Sequence, residues 1–184
     1  MRSNFLLTPF VLAAAALLGT PLASAQSLRP AGYFAEGALL GGGDWAVGGG
    51  VIWPFAWQSS LGGNSLSAFA EGSINHWEAR VANGRKGFTH FALVPILRVR
   101  FDGGSSAWFA DAGIGVSVTD QLFVTQTKQF TTAFNFVDVV GVGRSFGTGR
   151  AQDLSVRVQH VSNGGIRRPN PGQNFLQLRY SSAF

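Results

Sequence analysis

The stretch "LSVRVQHVSNGG", Leu154 to Gly165, decides how the rest of the chain is read. In an extended strand, alternate side chains leave opposite faces. One face then carries Leu154, Val156, Val158, His160 and Ser162, and the other Ser155, Arg157, Gln159 and Val161. A potential base and a potential nucleophile stand on the apolar face, while an arginine stands on the opposite one. In a water-soluble sheet the apolar face is the core, and the His/Ser pair would be buried in it. A sheet whose apolar face meets lipid removes the conflict.

The same inversion recurs along the chain. "FTHFALVPILRVRF", residues 88–101, places Phe91, Leu93, Leu97, Val99 and Phe101 on one face, with His90, Arg98 and Arg100 on the other. "NFLQLRYSSAF", residues 174–184, sets Leu176, Leu178, Tyr180 and Phe184 against Gln177, Arg179 and Ser181. Period-two alternation broken by Gly-, Asn- and Ser-rich turns gives strands over roughly 30–40, 45–54, 65–77, 88–101, 107–118, 130–145, 153–162 and 174–184. The first, third and sixth alternate less cleanly, and Pro95 removes a ladder donor from the fourth. Backbone groups in lipid must all be paired, which a sheet achieves only by closing on itself. The expected fold is therefore all-β, an eight-stranded antiparallel transmembrane β-barrel. Glu36, Glu71, Arg98, Arg100, Asp111, Asp138, Arg144 and Arg157 are its expected polar interior. The five tryptophans (45, 53, 57, 77 and 108) are expected in aromatic girdles near strand ends. A soluble lipocalin-like barrel or sandwich would want the opposite arrangement, with charges outside.

Composition agrees. The 184 residues include 25 Gly, 16 Phe, 5 Trp and no Cys, and only 12% are charged. Glycine is about twice and charge about half the usual level. Without cysteine there is neither a disulfide framework nor a thiolate metal site. The net charge of +5 is scattered, with no basic run of the kind that binds nucleic acid. Arg2, the apolar run Phe5–Leu18 and Ala23-Ser24-Ala25 read as a cleaved secretory signal over residues 1–25, which leaves 26–184 as one barrel domain.

With both termini periplasmic, the turns at 102–106 and 146–152 face the periplasm, and the connections near 78–87, 119–129 and 163–173 face outward. A long 54–64 connection fits this rule poorly. His160 and Ser162 then lie at the outer end of the seventh strand, pointing into the outer leaflet. Two positions on one strand face are about 7 Å apart at Cα, a gap that an imidazole and a hydroxymethyl group bridge. Asn174 shares the outward parity of Leu176 and falls opposite His160 if the intervening connection is symmetric. Asn163 and the N–H of Gly165 are candidate oxyanion donors. On spacing alone the signal is weak, and the pair reads more readily as two interfacial polar residues at a strand end.

"HVSNGGIRRPNPGQN", residues 160–174, closely resembles the active-site segment of the PagL family, outer-membrane lipid A 3-O-deacylases. The match takes in His160, Ser162, Asn163, Gly165, Pro169, Asn170 and Gly172, and extends upstream through "FAWQSS", "HWEA", "FADAGIGV" and "FNFVDVVGVG". The resemblance implies a lipid-facing active site with Ser162 as nucleophile, His160 as general base, and Asn163 with Gly165 as oxyanion hole. It implies lipid A as substrate, the outer membrane as location, and no cofactor or metal. Better-known relatives carry glutamate where this chain has Asn174, and no acid follows Asp153. Either Asn174 orients His160 through its amide, an acid from another strand substitutes, or turnover is reduced. Arg167 and Arg168, beside the site, are candidates for the lipid A phosphates. A homodimer is a candidate assembly. The competing readings are a non-catalytic structural or adhesion barrel, and a lipid A palmitoyltransferase, whose acyl-holding interior the charged inward positions disfavour.

Overall fold

The computed structural model describes residues 29–184; the segment 1–25, expected to be a cleaved signal, lies outside them. Eight strands run β1 Gly32–Gly41, β2 Asp44–Leu61, β3 Asn64–Val81, β4 Gly84–Arg100, β5 Trp108–Thr119, β6 Phe134–Phe146, β7 Gln152–Ser162 and β8 Gln173–Ala183. Each pairs antiparallel with its sequence neighbours, and β1 pairs with β8, so the sheet closes into a barrel. The expected fold class is the observed one.

The outer surface is apolar. Val47, Ile74, Leu93, Val116, Val140, Val156 and Leu178 are among the exposed large hydrophobics, and Phe184 stands outward beside Tyr33. Inside, toward the end where β1 starts and β8 stops, charges pair. Arg157 binds Glu71 at 2.9 Å and Asp111 at 2.8 Å, Arg98 binds Asp111 at 2.8 Å and Asp153 at 2.6 Å, and Arg179 binds Glu36 at 2.7 Å. Buried ions survive only in such mutual networks, because each lone charge would otherwise lose its hydration uncompensated.

Two expected interior residues are outside. Asp138 and Arg144 are exposed on the outer face of β6, while Val137, Val139, Gly143 and Ser145 face in. The physical reason is that β6 is apolar on both faces, Phe134, Phe136, Val140 and Val142 outward and Val137 and Val139 inward, so alternation carried no parity signal there. Trp77 also departs from the girdle. It is buried inside, stacked on His90 with ring centroids 4.1 Å apart, whereas Trp45 and Trp108 are exposed on the outer wall.

The strands extend further than alternation indicated. The 54–64 segment is no long connection: β2 passes through an irregularity between Pro54 and Gln58 and reaches Leu61, where Gly62 and Gly63, both at positive φ, make a tight hairpin. Pro95 is accommodated by a gap, since neither it nor Val94 pairs with β5 although the register continues on both sides.

The connection between β5 and β6 folds back into the barrel mouth, and this shortens the sixth strand. Phe123 and Phe130 are buried there, Phe123 packing edge-on against Trp77, Phe88 and Phe130 at centroid distances of 5.0–5.3 Å. Burial of each ring contributes about 1.5–3 kcal/mol. The mouth is thus closed by a packed aromatic plug at the end where β7 stops and β8 starts.

Candidate active site

His160 and Ser162 close β7, and both point outward, since Val161 and Asn163 on either side of Ser162 are buried. The strand ends there because Gly164 and Gly165 take positive φ, 62° and 86°, a conformation that glycine adopts without steric cost. Across the β7–β8 ladder His160 pairs with Asn174, in the register that a symmetric connection requires. The Nδ1 of His160 lies 2.6 Å from Oδ1 of Asn174. An amide oxygen can only accept, so Nδ1 is the donor in this contact, and in the neutral ring the lone pair then falls on Nε2. That is the tautomer a general base needs.

Gly172 packs beside both His160 and Ser162, and no direct hydrogen bond joins those two side chains. A Cβ at this position would lie 2.6 Å from Cε1 and 3.0 Å from Nε2 of His160, and 3.5 Å from Cβ of Ser162. The space that a side chain would fill is therefore bounded by both His160 and Ser162. The backbone at Gly172 is left-handed, φ 59°, which also favours glycine. Its carbonyl accepts a 3.2 Å bond from Nζ of Lys128, on the plug connection.

The 163–172 loop is braced from within. Buried Asn163 donates through Nδ2 to Oγ1 of Thr131 at 2.9 Å and to the carbonyl of Arg167 at 2.8 Å, and its Oδ1 accepts the N–H of Gly165 at 2.9 Å. The N–H of Asn163 donates to Oδ1 of Asn170 at 3.0 Å. Thr131 also donates to the carbonyls of Arg167 and Pro169. The proposed oxyanion donors are thus engaged inside the loop, while the N–H of Gly164 points toward Oγ of Ser162 at 3.5 Å. Arg167 and Arg168 are exposed, and neither forms an ion pair among the described residues.

The sequence reading missed Lys128 and Thr131, the braces from the plug, because their partners lie more than thirty residues away. It also missed the steric role of Gly172, although the residue belongs to the matched motif. Asp138 was placed on the wrong face; it stands directly opposite His160 in the β6–β7 ladder.

A closed antiparallel barrel with an apolar outer face, carrying a serine, a histidine and an asparagine together at one end of that face, defines a membrane β-barrel. Comparison with known proteins gives the family. Residues 44–183 match the family model "Lipid A 3-O-deacylase (PagL)", and the chain belongs to that family. It is 32% identical to the lipid A deacylase PagL of Pseudomonas aeruginosa over 67% of this chain and 68% of that protein. Identity to the lipid A deacylase PagL of Bordetella bronchiseptica is 29%, over 71% of each chain. The crystal structure of the outer membrane enzyme PagL superposes with a TM-score of 0.73 at 25% identity, covering 84% of this chain and all of that one.

Proposed function

We propose that this protein is an outer-membrane esterase that removes the 3-hydroxyacyl chain ester-linked at the 3-position of lipid A. The observation that carries the reading is the 2.6 Å contact between Nδ1 of His160 and Oδ1 of Asn174, which in the neutral ring leaves Nε2 as an acceptor on the strand face that also carries Ser162.

Oγ of Ser162 attacks the ester carbonyl carbon while Nε2 of His160 takes the hydroxyl proton. The carbonyl π electrons move to oxygen, giving a tetrahedral oxyanion. Asn163 and Gly165 supply its donors once the oxyanion displaces their internal loop bonds, and the N–H of Gly164 already faces the serine. Catalytic hydrogen bonds commonly tighten only when substrate is bound. Collapse expels the sugar 3-oxygen, which leaves with the proton held by His160. Water then attacks the acyl-Ser162 ester with the same histidine as base, releasing a 3-hydroxy fatty acid into the lipid phase. Asn174 orients the imidazole throughout. Arg167 and Arg168 flank the site and suit the sugar phosphates, which arginine binds through paired hydrogen bonds.

The test is mass spectrometry of lipid A incubated with the purified protein in detergent. Loss of one 3-hydroxyacyl chain from the 3-position is expected with the wild type and not with Ser162→Ala. Loss of a chain from another position, or a fully active Ser162→Ala, would defeat the reading.

A further inference from the structure

A hydrolytic cycle at Ser162 makes His160 an imidazolium in each transition state, and its hydrogen-bonded partner Asn174 carries no charge. On the outer wall, where lipid lowers the effective dielectric, an uncompensated imidazolium is costly. One carboxylate stands directly beside it in the sheet. Asp138 pairs with His160 across the β6–β7 ladder as Asn174 does across β7–β8, so the imidazole is flanked on the two sides by a carboxylate and an amide. All three side chains leave the outer face.

Nothing else accounts for the carboxylate. Its outward neighbours on β6 are Phe136 and Val140, and the residue opposite it on β5 is Ile114. It enters no ion pair or side-chain hydrogen bond among those of the described residues, and a charge on a lipid-directed face is destabilising. Its position relative to the serine is also favourable. Residues directly opposite have Cβ atoms about 4.5–5.5 Å apart, whereas diagonal neighbours are about 7–8 Å apart. Ser162 pairs with Phe136 and is therefore diagonal to Asp138. The carboxylate lies nearer the developing imidazolium than the developing oxyanion, so its attraction to the first outweighs its repulsion of the second.

We infer that Asp138 is a positioning residue that supplies the negative charge for His160 from the β6 side, while Asn174 supplies the tautomer-fixing acceptor from the β8 side. The inference rests on the serine esterase reading above. The third function of a triad is divided here between two residues on two strands. Asp138 does not take the Nδ1 proton, because that bond belongs to Asn174.

The two Coulomb interactions at those separations, in an effective dielectric of about 20, differ enough to change kcat by about tenfold. The experiment is steady-state deacylation of lipid A in detergent by the full chain, with wild type, Ser162→Ala, Asp138→Asn, Asp138→Glu, Asn174→Glu and the double variant Asp138→Asn/Asn174→Glu. Folding of each is checked by its heat-modifiable gel migration. Asp138→Asn should lower kcat about tenfold with KM unchanged, because the imidazolium exists only beyond the ground state. Asp138→Glu should retain most of the rate. Asn174→Glu should restore the rate of Asp138→Asn while raising that of the wild type less, since the charge is then already present. An Asp138→Asn variant within twofold of wild type overturns the inference, as does a loss that Asn174→Glu fails to restore. A wild type that removes no chain, or an active Ser162→Ala, instead overturns the esterase reading beneath it.

Discussion

Replacing Gly172 by alanine fills the space that lies against both His160 and Ser162. The added Cβ would lie 2.6 Å from Cε1 of His160, well inside contact distance, and 3.0 Å from Nε2. The backbone cannot easily yield, because the Gly172 carbonyl is held by Lys128 and the pair His160–Asn174 lies two residues away in the ladder. The imidazole must therefore swing aside, lengthening the 2.6 Å bond to Asn174 and displacing Nε2. A displacement of about 1 Å in a catalytic group costs on the order of 100-fold in rate. The left-handed backbone at φ 59° adds about 1–2 kcal/mol of strain, which a barrel closed on eight strands tolerates. Initial rates of 3-hydroxy fatty acid release, measured beside heat-modifiability, give both quantities. Gly149→Ala is the control: it has φ 64° and no atom within 4 Å of the added Cβ, and it lies at the other end of the barrel, so it carries strain without collision. The expected result is a folded Gly172→Ala protein about 100-fold slower than wild type and a Gly149→Ala protein at wild-type rate. A folded Gly172→Ala variant within threefold of wild type would refute the steric reasoning.

Three further outcomes are expected. Ser162→Ala and His160→Ala should each lower deacylation by at least about a thousandfold without loss of the heat-modifiable form, because both side chains are outside the packed interior. The double change Arg167→Ala/Arg168→Ala should weaken activity on bisphosphorylated lipid A far more than on a small soluble ester; an equal loss on both would point to a disturbed 163–172 loop. Glu71→Ala should destabilise the barrel by about 3–5 kcal/mol, since Arg157 and Arg179 lose a buried counter-charge, and a calorimetric or gel-shift midpoint reads this directly.

Period-two alternation is a local property, and where one face is polar and the other apolar it assigns faces without further help. That is why β4, β7 and β8 were legible, and with them the outward His160, Ser162 and Asn174 and the inward Arg98, Arg157 and Arg179. It failed on β6, where valines and phenylalanines occupy both faces, so Asp138 and Arg144 were sent to the interior. The long 54–64 connection failed for a related reason: an irregularity in β2 interrupts the alternation without ending the strand.

What the chain determined by itself was the barrel class and the short segment that carries the serine and histidine, because both depend on residues close together in sequence. Only the closed tertiary structure decided which side chains flank His160. Register across a ladder is set by the whole sheet, and it brings Asp138, twenty-two residues earlier, level with Asn174, fourteen residues later. The same is true of the plug: Phe123 reads as part of a surface connection and Phe130 as the start of the sixth strand, and both are core because closure creates a mouth that apolar rings fill. From that plug Thr131 and Lys128 hold the loop and Gly172 against the site, contacts between segments that only a folded barrel brings together.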